Sequence, residues 1–350
     1  MIYLLNIIIS IGYSYILRKN NKISFAMYIP VILLWILILG GQDGVGTDYY
    51  SYKKIYEEHY VLDRFYNVGE YLFYYFIIFF SKYIKNGQFL FFIDAIIKVF
   101  IFWIIMKKTI SNKYSYIFLF LYLCYSTIFY NQMNIIRSYT AVYFFTLGII
   151  YLIKNQSKMF LLLLGIGNFI HKSCLYMLGI FFINIKIKKN IDKRKLYIFL
   201  LLGLIVAFLP LKEMIRNIAV KIIPTYSHYF SSQYYENEMN LINQISRVIW
   251  MPFYLNSVIL IKNDVEGKLI KYGILGYFIY LFTIAVPIFS RLAVYFSILR
   301  IYPIYYLIIY YLKNNKTIKL LFLISLIIVF IILKILIFPK GEYLYNSILI

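Results

Sequence analysis

Apolar residues come in long blocks along this chain, separated by short polar turns, and the blocks repeatedly reach lengths that can cross a bilayer. Thirteen such segments can be marked, at residues 1–17, 23–41, 71–84, 89–106, 114–131, 138–153, 159–171, 173–185, 196–209, 247–261, 272–289, 292–312 and 320–338. If all thirteen crossed, the basic loop Lys186 to Lys195 would lie on the opposite face from Arg18, Lys19 and Lys22, against the rule that basic loops share the cytoplasmic side. Segment 71–84 is short and flanked by Glu70, Lys82 and Lys85. Making it re-entrant or interfacial restores the parity.

The pattern therefore predicts an all-α, polytopic integral membrane protein, a single membrane domain over residues 1–350 with about 12 transmembrane helices and both termini outside. Two long outer segments are expected, one at about 42–70 leading into the non-spanning 71–84, the other at about 210–246. The second pairs an amphipathic piece, LKEMIRNIAVKII, with the polar tract PTYSHYFSSQYYENEMN. Segments 159–171 and 173–185 form a short hairpin with His171, Lys172 and Ser173 at its tip. The working site is expected at the outer face, where all three histidines fall.

Composition agrees: the 350 residues are 63% hydrophobic and 14% charged, too apolar for a soluble domain. The net charge of +22 does not imply nucleic acid, because the basic residues cluster between apolar runs as membrane topology requires. Cys124 and Cys174 both lie in apolar stretches and share no metal-type spacing with the histidines, so neither a disulfide framework nor a zinc site is indicated, and no cofactor is expected. The first apolar run lacks a basic leader and a small-residue cleavage site, and reads as a retained span.

The stretch GGQDGVGTDYYSYKKIY (residues 40–56) is glycine-broken, acid-bearing and tyrosine-rich, with donors and acceptors suited to sugar hydroxyls. Asp48 and Tyr49 are its candidates. Arginines at outer positions, Arg64, Arg137, Arg216, Arg247 and Arg291, offer planar donor forks matched to phosphate oxygens, the alternative being interfacial anchoring. Arg300 stands nine residues into its apolar run, where an unpaired charge is costly. His171 can be a structural hydrogen bonder or a proton acceptor near neutral pH. Glu70 reads mainly as a helix-capping carboxylate, His59 and His228 as solvated loop residues, and Asp94 with Lys98 as an i, i+4 pair.

Three features together resemble the EpsG family of Wzy-like exopolysaccharide and O-antigen polymerases: GVGTDYYSYKKIY followed by NVGEYLFYY; NQMNIIRSYTAVYFFTLGIIYLIK followed by FLLLLGIGNFIHKSCLYML; and SRLAVYFSILRIYPIYY. Arg137, His171 and Arg291 match the family's pattern. Gly41, Gln42 and Asp43 stand where it commonly has an arginine, and no proline follows Glu70. The resemblance implies a glycosyltransferase joining polyprenyl-diphosphate-linked oligosaccharide units, donor and acceptor alike, on the outer face of the bacterial cytoplasmic membrane. The products would be capsule, O-antigen or exopolysaccharide, and the partners a chain-length regulator and a flippase. Within that scheme Arg137 and Arg291 are expected on the diphosphate, His171 as base, Asp48 as the alternative base, Asp48 with Tyr49 on sugar hydroxyls, and Arg247, Arg300 and Arg64 as further substrate contacts. A flippase or transporter of lipid-linked oligosaccharide and a glycan O-acyltransferase are the alternatives. The absence of corresponding Gly/Pro-broken helices in two halves argues against the first, and the outer placement of the histidines against the second.

Overall fold

The computed structural model describes residues 2–20, 22–181, 193–209, 213–214, 217, 241–286, 289–337 and 341–348. Among them the secondary structure is helical, apart from one isolated antiparallel bridge between Gln42 and Ser347. Most of the segment 210–246, with Arg216 and His228, lies outside the described residues.

Three of the described helices are long and apolar enough to cross a membrane: Gln88–Thr109, Ile136–Ile153 and Thr317–Ile337. At 1.5 Å per residue the 22-residue helix Gln88–Thr109 runs about 33 Å, the thickness of a hydrocarbon core. A fourth span is made if Ser290–Phe296 and Ile301–Lys313, bent 44° from one another, count as one broken element. Other apolar blocks form helices of 10 to 17 residues. The expected span 114–131 is not one helix: Ser115–Phe120 runs into a π-helical turn at Leu121–Tyr125, and Thr127 takes a left-handed φ of 56° before Ile128–Asn134 begins. Segment 71–84 forms the ten-residue helix Tyr71–Phe80, about 15 Å long and half of what a crossing needs.

The chain divides into two compact units, Met1–Phe181 with Ile308–Ile350, and Phe182–Leu307. In the first, Ile136–Ile153 is the central helix, 78% of it buried, with Gln88–Thr109 and Ser157–Ile170 packed along it. Thr317–Ile337 is only 17% buried although it is the most apolar of the three, as a helix must be that turns most of its surface to lipid. One buried charged cluster within this unit is matched internally. Lys98 pairs with Asp94 one turn away and donates to the Gln132 carbonyl at 3.1 Å, while Thr140 donates to Asp94. Such pairing is what an apolar surround demands of buried charge.

The glycine-rich stretch after Phe25–Gly40 is fixed from three directions. Gln88 donates to the carbonyls of Gly40 and Gln42, Asn134 Oδ1 accepts the backbone N–H of Asp48 at 3.0 Å, and the N–H of Asp43 reaches the carbonyl of Asn346 at 2.9 Å. In the second unit, Lys193–Ala207 packs on Val265–Phe282, with Phe199 and Phe278 stacked at 4.0 Å.

Candidate functional site

The helix Asp63–Val68 stops at Gly69, whose φ of 91° is a left-handed value that a side chain resists. The N–H of Gly69 returns to Tyr66 and that of Glu70 to Phe65, closing the helix, and the carbonyl of Glu70 accepts the N–H of Tyr74 to open Tyr71–Phe80. The backbone of Glu70 is thus clamped between two helices. Its side chain makes no capping bond. The capping role expected of Glu70 is therefore corrected: the carboxylate points inward and is buried, with 3% of the residue exposed.

Three donors meet that carboxylate. Arg137 donates through Nη1 to Oε2, forming an ion pair; His171 Nδ1 lies 2.8 Å from Oε1; and the backbone N–H of Lys172 donates to Oε1 at 3.0 Å. Arg137 sits in the first turn of Ile136–Ile153, the positive end of a helix, where a cation needs an anion beside it. Its Nε also donates to the Tyr52 hydroxyl at 3.3 Å, and its guanidinium lies over the rings of Phe65 and Phe73 at 4.3 and 5.0 Å. His171 closes Ser157–Ile170, its N–H bound to the Gly167 carbonyl at 2.8 Å and its own backbone extended, which swings the imidazole off the helix axis toward Glu70.

Burial pushes the Glu70 carboxyl up, but the hydrogen bond from His171 and the charge of Arg137 outweigh it and leave the group below its ordinary value of 4.5. Glu70 is ionised at neutral pH. A carboxylate at Nδ1 makes that nitrogen the proton carrier, so Nε2 holds the lone pair. Nε2 makes no hydrogen bond among the described residues, and the side chain is 23% exposed. The arrangement is an oriented base beside a buried ion pair.

The other expected residues are distributed as follows. Asp48 begins Tyr49–Glu58 and accepts from its neighbour Thr47 at 3.1 Å, half-buried and hydrogen-bonded to none of the Glu70 group. Tyr49 is fully buried, stacked on Phe91 and donating its hydroxyl to Gln88 at 2.8 Å, so it packs the loop instead of facing sugar; Tyr50 beside it is 67% exposed. Arg64 is exposed on Asp63–Val68, and Arg291 is exposed on the short helix Ser290–Ala293. His59 is exposed, as expected of a loop residue, and bonds Ser81 at 2.8 Å. Arg300 is not deep in a continuous helix: it sits at the break between Ser290–Phe296 and Ile301–Lys313. Arg247 and Arg300 both lie over the ring of Tyr280, at 4.7 and 3.9 Å.

An all-helical, membrane-embedded protein with an ionised, buried carboxylate orienting a histidine is the class these features define. The model of the EpsG family matches residues 25–347, which covers nearly the whole chain and both halves of the Glu70 cluster. The chain belongs to the EpsG family, whose members are membrane proteins of polysaccharide biosynthesis, generally of glycosyltransferase-like polymerase type. No curated protein and no solved structure matches it.

Proposed function

We propose that this protein is a polysaccharide polymerase that joins oligosaccharide repeat units carried on polyprenyl diphosphate, working on the outer face of the cytoplasmic membrane. The observation that carries the proposal is the Glu70–His171 contact, an ionised carboxylate fixing one imidazole nitrogen so that the other can accept a proton. In the reaction, the acceptor sugar's hydroxyl oxygen attacks the anomeric carbon of the donor chain, the bond from that carbon to the diphosphate oxygen breaks, and the electron pair leaves with the diphosphate. The hydroxyl proton passes to Nε2 of His171, a step for which a positioned base contributes about 10² to 10⁴ in rate.

A diphosphate is already a good leaving group, so its developing charge needs cations more than an acid. Arg137 commits Nη1 to Glu70 and Nε to Tyr52, and offers only its remaining donors; Arg291 is the second cation expected from the sequence. No step calls for a cofactor.

Transport of lipid-linked oligosaccharide is the second reading, favoured by one observation, the 44° break between Ser290–Phe296 and Ile301–Lys313, since broken helices commonly line carrier sites. Deleting the gene and resolving the surface glycan by size separates the two. A lone repeat unit at the surface supports the polymerase; loss of surface glycan with lipid-linked units retained inside supports the transporter and overturns the proposal.

A further inference from the structure

The helix Val265–Phe282 places Gly273, Gly276, Tyr277 and Tyr280 on one face, at i, i+3, i+4 and i+7. The two glycines let the broken element come against that face: a Cβ at Gly273 would stand 2.4 Å from Pro303 Cδ, and one at Gly276 would stand 2.5 Å from Phe296 Cβ and 3.2 Å from Arg300 Cγ. Arg300 is thereby pressed against the helix with its guanidinium over Tyr280. Arg247 reaches the same ring from Leu241–Val248.

Both arginines are held at their backbones. The hydroxyl of Tyr277 donates to the carbonyl of Arg247, and that of Tyr254 donates to the carbonyl of Arg300, each at 2.8 Å. The two tyrosine rings are stacked on each other, 3.8 Å apart and nearly parallel. One stacked pair therefore fixes the two chains that deliver the two guanidiniums.

Among the described residues the charges at this place are unbalanced. The positive charges of Arg247 and Arg300 act on one another, and no carboxylate pairs with either among the described residues. Arg247 Nη1 and Arg300 Nε are buried with no hydrogen-bond partner there. A single tyrosine face offsets part of the cost of two cations, but buried N–H donors left unmade remain expensive. What completes such a site is an anion with several oxygens, presented to two planar donor forks.

We infer that Arg247, Arg300 and Tyr280 form a phosphate-recognising site that takes a phosphate or diphosphate group. The site stands on its own geometry and rests on the polymerase reading only in naming the polyprenyl diphosphate carrier as the source of that group. Inorganic pyrophosphate and an anionic phospholipid headgroup present the same chemistry, and binding to the purified full-length chain distinguishes them without any polymerisation.

The test titrates inorganic pyrophosphate by calorimetry into the protein in nanodiscs of neutral lipid, and separately counts phosphatidylglycerol retained by the detergent-solubilised protein in native mass spectrometry. Wild type is expected to bind pyrophosphate, with Arg247→Gln and Arg300→Gln each weakening it by roughly tenfold or more, the loss of one hydrogen bond to a charged group. Arg300→Lys, which keeps the charge but not the fork, falls between. Retention of phosphatidylglycerol without pyrophosphate binding, lost in the same variants, supports the site with a lipid headgroup as its source. Variants that melt like wild type and keep both affinities overturn the inference, as does a wild type that binds neither. Should a glutamine variant not fold, Tyr280→Leu, which removes the shared ring, carries the same expectations. Pyrophosphate binding lost in the variants while a gene deletion leaves full-length glycan would reject the polymerase reading and leave the phosphate site standing.

Discussion

Oε1 of Glu70 and Nδ1 of His171 lie 2.8 Å apart across 101 residues of sequence. The contact joins the start of a short helix, Tyr71–Phe80, to the end of another, Ser157–Ile170, and the second carboxylate oxygen binds Arg137 in the first turn of a third. One acid thus sets the orientation of the base and neutralises the cation beside it.

Removing that acid strands a largely buried guanidinium. Glu70→Ala is expected to destabilise the protein by about 3–5 kcal/mol, and Arg137→Ala by a similar amount, because each leaves the other charge without its partner. The double variant should lose less than the sum of the two, measured by thermal unfolding in detergent. Additive losses would mean that the pair is not coupled.

The Glu70 carboxyl titrates below its ordinary value of 4.5, so folding favours its ionised form. Its contribution to stability is present above that ordinary value and is lost as the pH falls through the lower, folded one. Wild type should therefore be more stable than Glu70→Gln at neutral pH, and the gap should close as the pH is lowered through and below the ordinary value of 4.5. A gap that stays constant over that range would contradict the assignment.

His171→Asn keeps a side-chain nitrogen near the position of Nδ1 and removes Nε2. The protein should reach the membrane with wild-type abundance and melting temperature, and polymer length in a complemented deletion strain should collapse to single repeat units. Normal abundance with normal chain lengths would remove His171 from the reaction.

Gly276→Ala places a methyl group 2.5 Å from Phe296 Cβ and against Arg300 Cγ. Overpacking of this kind costs about 1–3 kcal/mol, and the melting temperature should fall accordingly. The same change at Gly165, which has nothing within 4 Å of its added Cβ, should not lower stability, so the comparison isolates packing from helix propensity.

Local pattern was enough for some of this. Asp94 and Lys98 are one helical turn apart, and their pairing follows from spacing alone. The blocks of apolar residues gave helices and a membrane environment, and the shortness of 71–84 became the ten-residue helix that cannot cross. Glu70 reads as a cap because a carboxylate before a helix usually is one, whereas its partners lie 67 and 101 residues away. The available signal was an acid set between aromatic runs in NVGEYLFYY, where an uncompensated charge could not remain.

Tyr49 and Tyr50 are adjacent and chemically equal, and only the packing against Phe91 and Gln88 decides which one is buried. Arg300 reads as deep in its apolar run because the apolar pattern continues unbroken through the 44° bend. Pro303 three residues on, which disfavours helical backbone before it and lacks an N–H, was the cue.

The central claim is tested most directly by giving purified protein a lipid-linked repeat unit and separating the products by size. Wild type should yield a ladder of lengthening chains and His171→Asn none. A wild type that leaves the repeat unit unjoined, or a His171→Asn ladder equal to that of wild type, would contradict it.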